Sequence, residues 1–325
     1  MLSRRAFVAG VAVAAGSGGA LAQSYPSQTI RILAGFPAGG GIDLLARILA
    51  EPLKTLGQAV VVENRTGAAG MIAAQATAKA APDGHTMLMA TSGEIAISHH
   101  LYKDKMTYDP LRELAPIALV GIVPCVVVVA AGTPVGTPQE LVAYAKANPG
   151  KLSFSSSGVG NPQQLAGELM NIMAGTDVLH VPYRGAAPAV TDVATGAVTM
   201  SFTSLAAARG LIQDGRVRAV AVTSKERLPQ LPDIAPLSEG SPGLAGYELL
   251  NWFALFATGG TPAPIIGRLN QIANKTFQEP KIAEALDAQG IIARAMTPGE
   301  VGAFVTAESR KFAGIIEKAQ IKLSN

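Results

Sequence analysis

The stretch Phe36-Pro37-Ala38-Gly39-Gly40-Gly41-Ile42-Asp43 constrains this chain more than any other. Before it, Thr29 to Ala34 is short and β-branched, which predicts a strand. After it, Ile42, Leu45, Leu49, Leu53 and Leu56 recur at steps of three and four, which predicts an amphipathic helix. The glycines therefore stand at a strand-to-helix turn, at a helix N-terminus. Residues without side chains leave the backbone N–H groups bare there, and the helix dipole adds roughly half a positive charge. Such a place suits an anion, phosphate or carboxylate. A plain chain reversal would use the same glycines. Two phosphate motifs fail. A P-loop needs Lys-Ser/Thr after its last glycine, where this chain has Ile42 and Asp43. The dinucleotide fingerprint needs a third small residue, where this chain reaches Leu44. A nucleotide is not expected, and a carboxylate remains open.

Residues 1–22 read as an export leader. Arg4 and Arg5 precede an uncharged Ala/Val/Gly-rich segment, and Ala20-Leu21-Ala22 fits a small-x-small cleavage site. The paired arginines followed by Phe7 resemble a twin-arginine signal; an ordinary Sec signal is the alternative. The mature chain of about 300 residues is long enough for two modest domains. The leader takes two of the 26 basic residues, which leaves the rest nearly balanced against 23 acidic ones. That balance offers nothing to nucleic acid. The one cysteine, Cys125, lies in an apolar run and is expected to be a buried strand residue. Leu114 to Gln139 is uncharged, but Pro116, Gly121, Pro124, Gly132 and Pro134 divide it into pieces too short for a membrane span of about 30 Å. Two buried strands, Ile117 to Val123 and Val126 to Ala130, joined by a bend, are expected instead. The mature protein is expected in the periplasm.

Strand and helix signals alternate along the remainder. Strands are expected at Val60 to Glu63, Thr86 to Ala90, Leu152 to Ser155, Val178 to Val181, Val198 to Phe202, Val217 to Thr223 and Trp252 to Ala257. Helices are expected over Met71 to Ala80, Leu205 to Gln213, Pro264 to Gln278 and Pro280 to Ala288. Thr137-Pro138-Gln139-Glu140 and Thr297-Pro298-Gly299-Glu300 each read as a capping box with proline at N1. Ser156-Ser157-Gly158-Val159-Gly160-Asn161 leads into a helix opened by Pro162, a second strand, glycine-bearing loop and helix start. Alternation of this kind implies α/β architecture with mainly parallel sheets flanked by helices. Ligands of such sheets sit beyond the strand C-terminal ends. The Pro124 region and the Lys225 to Pro242 segment read as two crossings between domains. They divide the chain into residues 24–124 plus 247–325 and residues 125–246, two lobes able to close on a hinge.

Several motifs occur in order: Tyr25-Pro26-Ser27, Phe36-x-Ala38-Gly39-Gly40-x-x-Asp43, Val61-Val62-Glu63-Asn64-Arg65-x-Gly67-Ala68-x-Gly70, Pro82-Asp83-Gly84-His85-Thr86, Tyr108-Asp109-Pro110, His180-Val181-Pro182-Tyr183-Arg184-Gly185 and Ala219 to Ser224. Together they span essentially the whole mature chain. The sequence resembles the Bug/TctC family, the extracytoplasmic solute-binding receptors of tripartite tricarboxylate transporters. The resemblance implies a two-domain Venus-flytrap fold, similar to the type II periplasmic binding proteins. It implies a monomer that grips a small organic carboxylate between two loops and delivers it to membrane permease subunits. The first loop supplies Phe36, Pro37, Ala38, Gly39, Gly40 and Asp43. The second supplies Ser156, Ser157, Gly158, Asn161 and Gln163. Thr91 and Ser92, Tyr183, Arg184, Gly185 and Ala186, and Thr203 match further cleft positions.

Blander roles compete for several of these. Asn161 can cap the helix at Pro162, Arg184 can be a solvated charge, and Asp43 can simply complement the helix dipole. Trp252 reads as core. Two departures from the family pattern bear on the ligand. Many members carry an aspartate where this chain has Thr203, so an amino-acid ligand is disfavoured. Ile97-Ser98-His99 replaces the usual Ile-Asn-Pro, beside Glu94, which would oppose a polyanion if it points inward. A receptor that signals to a membrane sensor kinase would share the same site. An enzyme is not expected: no Gly-x-Ser-x-Gly elbow surrounds the serines, and no His or Cys spacing suits zinc. No cofactor or metal is expected.

Overall fold

The computed structural model describes residues 25–102 and 106–322. The leader assigned to residues 1–22 lies outside them. The chain opens with β1 (Ile30–Ala34), α1 (Gly41–Leu53), β2 (Val60–Asn64), α2 (Met71–Ala78) and β3 (Thr86–Thr91). A π-helical turn over Gly93–Ile97 leads to the short α3 (Ser98–Leu101) and α4 (Pro110–Glu113), and then to β4 (Leu114–Ala130). Next come α5 (Pro138–Ala147), β5 (Leu152–Ser156), α6 (Pro162–Ala174), β6 (Val178–Pro182), α7 (Ala186–Ala194), β7 (Met200–Ser204), α8 (Leu205–Gln213) and β8 (Val217–Val222). The chain closes with β9 (Leu250–Thr258), α9 (Ala263–Phe277), α10 (Pro280–Asp287), β10 (Ile292–Ala293) and α11 (Pro298–Lys318).

The sheet is mixed. β1 pairs in parallel with β2 on one side and β3 on the other. β5 pairs in parallel with β6 and β7 in the same manner. β9 joins the first triplet antiparallel, through β3, and β4 joins the second antiparallel, through β7. Buried strands of this kind read as near-continuous apolar runs; in β1, Ile30, Ile32, Leu33 and Ala34 are all buried. Each triplet has its first strand in the middle, so strand order reverses beside β1 and beside β5. Crevices beyond strand C-termini form at such reversals. The loops after β1 and β5 are the two glycine-bearing loops.

Two expectations need correction here. The apolar run is not two strands joined by a bend: β4 is one strand of 17 residues. Its first part pairs with β9 down to Pro124 opposite Leu250, and its second part pairs with β7 from Cys125 opposite Ser204. Proline lacks an N–H, and Pro124 stands at the seam where the partner changes. The Lys225 to Pro242 segment is not a crossing either. It folds back on the second sheet through a bridge between Val222 and Pro236, with Leu228 and Leu237 buried. Just before β9, Leu249 is tied to the end of β8: its N–H donates to the Thr223 carbonyl (3.0 Å) and its carbonyl accepts from the Thr223 hydroxyl (2.6 Å).

The capping expectations divide. Thr297 and Glu300 form a full reciprocal box on α11. Thr137 caps α5, but the Glu140 carboxylate reaches past it to the Gly136 N–H (2.6 Å). The strand expected over Val198 to Phe202 sits two residues later, which brings Ser204 to its end. α11 lies along β4 and also packs against the 93–97 turn and α6. Trp252 is fully buried, edge-on to Phe304 of that helix (5.8 Å). Among the described residues no helix is long and apolar enough to cross a membrane.

Candidate ligand site at the seam

The first loop is held by one carboxylate. Asp43, in the first turn of α1, is 3% exposed. It accepts from the Gly39 N–H (2.9 Å), the Arg47 Nε (2.8 Å) and the Asn64 Nδ2 (3.0 Å). The Asn64 amide also donates to the Phe36 carbonyl (3.1 Å), so β2 clamps the loop after β1. The Arg47 guanidinium, foremost, with the Gly39 and Asn64 donors, holds the Asp43 carboxyl down at about 2. Gly39 has φ +82°, a conformation that side chains resist. The N–H groups of Ala38, Gly41 and Ile42 have no partner among the described residues.

The second loop is built alike. The Asn161 Oδ1 caps α6 by accepting the Gln164 N–H (2.9 Å), and its Nδ2 donates to the Ser157 Oγ (2.9 Å). The Gln163 and Gln164 carboxamides fold back to accept the Ser157 and Gly160 N–H groups (2.8 Å each). The Ser156 Oγ lies 2.7 Å from both the Gly158 carbonyl and the His180 Nε2. A hydroxyl has one proton; given to the carbonyl, it leaves the imidazole as donor. Burial pushes the His180 imidazole down to about 4, so it is neutral. The N–H groups of Val159, Asn161 and Gln163 have no partner among the described residues.

Between these loops lies a cavity of about 330 Å³. Phe36, Thr91, Ser157, Gly158, Asn161 and Gln163 line it, with Ala69, Gly93, Ser98, Val123, Pro124, Cys125, Val159, Gly160, Pro162, Ser204 and Asn251. A second cavity of about 420 Å³ adjoins it through Phe36 and Thr91 and is lined by Pro37, Ala38, Gly40, Gly41, Ile42 and Phe253. A few hundred Å³ suits a small ligand. Burial pushes the Cys125 thiol up to about 12, so it remains a neutral wall.

The other expected residues line neither cavity. Asp43 fixes the first loop from inside through the exposed Gly39. Ser92 is fully buried and donates to the Asn251 Oδ1 (2.8 Å). Ser156 ties its own loop. The Tyr183 to Ala186 segment buttresses the second loop: the Tyr183 and Gly185 N–H groups donate to the Ser156 and Ser157 carbonyls, and the Tyr183 hydroxyl turns to Asp192. Arg184 is exposed. Thr203 is 1% exposed and does not line the cavity. Successive strand residues face opposite ways, so its neighbour Ser204 takes that place. The inference about an ammonium group drawn from Thr203 therefore lapses. Glu94 is wholly buried behind Thr91, accepting its N–H (2.8 Å) and its hydroxyl. Burial pushes the Glu94 carboxyl up to about 7.

Ala69, Ser98, Ser204 and Asn251 went unrecognised as wall residues. Only Asn251 left a signal, as a polar residue in an otherwise apolar strand. Ala68 and Ala69 both have positive φ (+47° and +52°), strained values that recur where backbone meets ligand.

The family model of the tripartite tricarboxylate transporter family receptor, TctC, matches residues 45–321. The protein BugT of Bordetella pertussis is 34% identical over 304 residues, covering 93% of this chain and 92% of BugT. A protein from the tcbD-tcbE intergenic region of Pseudomonas sp. strain P51 is 37% identical over 319 residues, with 97% of this chain and 94% of that one covered. Among solved structures, R. palustris Rpa4515 with adipate superposes with a TM-score of 0.78 at 31% identity, over 92% of this chain and 99% of that one. MatC of Rhodopseudomonas palustris with bound malate gives 0.73 at 28% identity, over 90% and 100%. The two-lobed α/β fold is common to them. With its paired helix starts and its fold in agreement, the chain belongs to the TctC family of tripartite tricarboxylate transporter receptors.

Proposed function

We propose that this chain, once exported to the periplasm and freed of residues 1–22, captures a small organic carboxylate in the seam cavity and hands it to the permease subunits of a tripartite tricarboxylate transporter. One observation carries the reading. Two helix starts, after β1 and after β5, open onto adjoining cavities with unpaired N–H groups on each, and no wall residue among those described carries a charge. Main-chain donors and two dipole ends can hold one carboxylate there. The adipate and malate in the related structures are carboxylates of the same general kind. Residues 24–124 plus 247–325 and residues 125–246 act as two lobes, and a ligand that touches both favours the closed form. The site binds and releases; nothing in its chemistry calls for a reaction.

Native mass spectrometry of purified protein tests the ligand class, with a co-purified small acid expected. Calorimetry with a panel of carboxylates tests the grip. Gly40→Val and Gly158→Val should each weaken every binding acid at least tenfold, because Gly158 sits at φ +151° and a Cβ on Gly40 would meet the Pro37 carbonyl at 3.3 Å. Unchanged affinities in both variants would exclude the two-loop grip. Recovery of permease subunits from detergent-solubilised membranes is expected if the receptor feeds a transporter.

A further inference from the structure

The cavity wall carries two chemically different kinds of donor. One is the pair of glycine loops with their free N–H groups. The other is the side chains of Ser98 and Asn251. Ser98 is 3% exposed, and its hydroxyl has no partner among the described residues. Asn251 is held by Ser92, whose buried hydroxyl donates to its Oδ1 at 2.8 Å. That leaves the Asn251 Nδ2 without a partner among the described residues, and it is not sealed from the cavity as a buried unpaired atom would be. Both groups are neutral. The Thr91 hydroxyl beside them is engaged with Glu94 and cannot also donate to a ligand.

A second ligand carboxylate against Ser98 and Asn251 would lose its water and meet no cation. Burying an unpaired charge is costly, whereas a neutral oxygen needs only a hydrogen bond. It would also stand before Glu94, whose carboxylate backs Thr91. We propose that the ligand is a monocarboxylate with a neutral oxygen acceptor remote from its carboxylate, such as an ester, ketone or amide, and that Asn251, oriented by Ser92 and joined by Ser98, reads that acceptor. The proposal rests on carboxylate capture by the two loops and narrows it. It sets this chain apart from the relatives solved with adipate and malate, both dicarboxylates.

Calorimetry on the mature protein tests it with three probes of equal chain length: hexanoate, adipate monomethyl ester and adipate. The four-carbon series of butyrate, succinate monomethyl ester and succinate covers a shorter span. In the series that binds, the monoester should bind at least tenfold more tightly than the other two. Asn251→Leu should reduce the monoester's advantage over the plain acid to within about threefold, whatever the change does to the plain acid's own affinity. Ser98→Ala, a smaller change, should erode the same advantage in part. Tighter binding of the diacid than of its monoester overturns the proposal, as does an Asn251→Leu variant that keeps its melting temperature and the monoester's advantage. Binding of all three probes without discrimination defeats this inference but leaves carboxylate capture standing. No binding in either series by folded protein defeats both.

Discussion

Two carboxylates near the site behave in opposite ways because of what surrounds them. Asp43 is buried among donors and kept ionised at about 2, below its ordinary 3.8. Its contribution to stability is present above that ordinary value and is lost as the pH falls toward 2. Asp43→Ala strands the Gly39 N–H, the Arg47 guanidinium and the Asn64 amide together. We expect a loss of about 1–3 kcal/mol in urea unfolding, together with weaker ligand binding as the loop loosens. Glu94 is wholly buried, and although the Thr91 hydroxyl and N–H donate to it, burial raises its carboxyl from 4.5 to about 7. A raised acid favours the fold while protonated, so stability is fully present below about 4.5 and declines as the pH rises through 7. Glu94→Gln keeps the neutral shape. Its melting temperature relative to the parent chain should rise between pH 5 and pH 8, approaching a benefit of about 3 kcal/mol. A difference that stays flat across that range would show that Glu94 does not titrate there.

At the scale of elements, one side chain at the start of α6 uses both of its ends. The Asn161 Oδ1 caps the helix and its Nδ2 steadies Ser157. Serine caps a helix about as well as asparagine, while alanine costs roughly 1 kcal/mol. Asn161→Ser should therefore melt within about 0.5 kcal/mol of the parent chain yet bind its ligand more weakly, because serine cannot reach Ser157. Asn161→Ala should lose on both counts. Equal binding by Asn161→Ser and the parent chain would reduce Asn161 to a cap.

For the whole molecule, β4 matters most. It belongs to both sheets, and the seam at Pro124 and Cys125 is itself part of the cavity wall. A ligand lodged there would touch both halves. Ligand at a hundred times its dissociation constant should stabilise the protein by about 2.7 kcal/mol, read as a rise in melting temperature. X-ray scattering should show a smaller radius of gyration with ligand than without. Gly158→Val at the same ligand concentration should lose most of both effects.

The sequence by itself determined the alternation of strand and helix, the two glycine loops at helix starts, and the kinship those motifs carry, because each depends on neighbours a few residues apart. Through the family resemblance that such local motifs carry, it pointed to Asn161 and Gln163, and both line the cavity. It failed where distance along the chain or parity on a strand decided the outcome. Thr203 and Ser204 differ by one residue, and a strand sends them to opposite faces. Ser92 and Asn251 lie 159 residues apart and meet only because β9 returns beside β3. Pro124 read as a break, yet the tertiary structure makes it a seam, since a proline needs no ladder partner where a strand passes from one sheet to another. The two helix starts are local backbone chemistry and were legible; the part of the cavity wall that Ser204 and Asn251 supply is assembled from remote strands, and only folding could choose it.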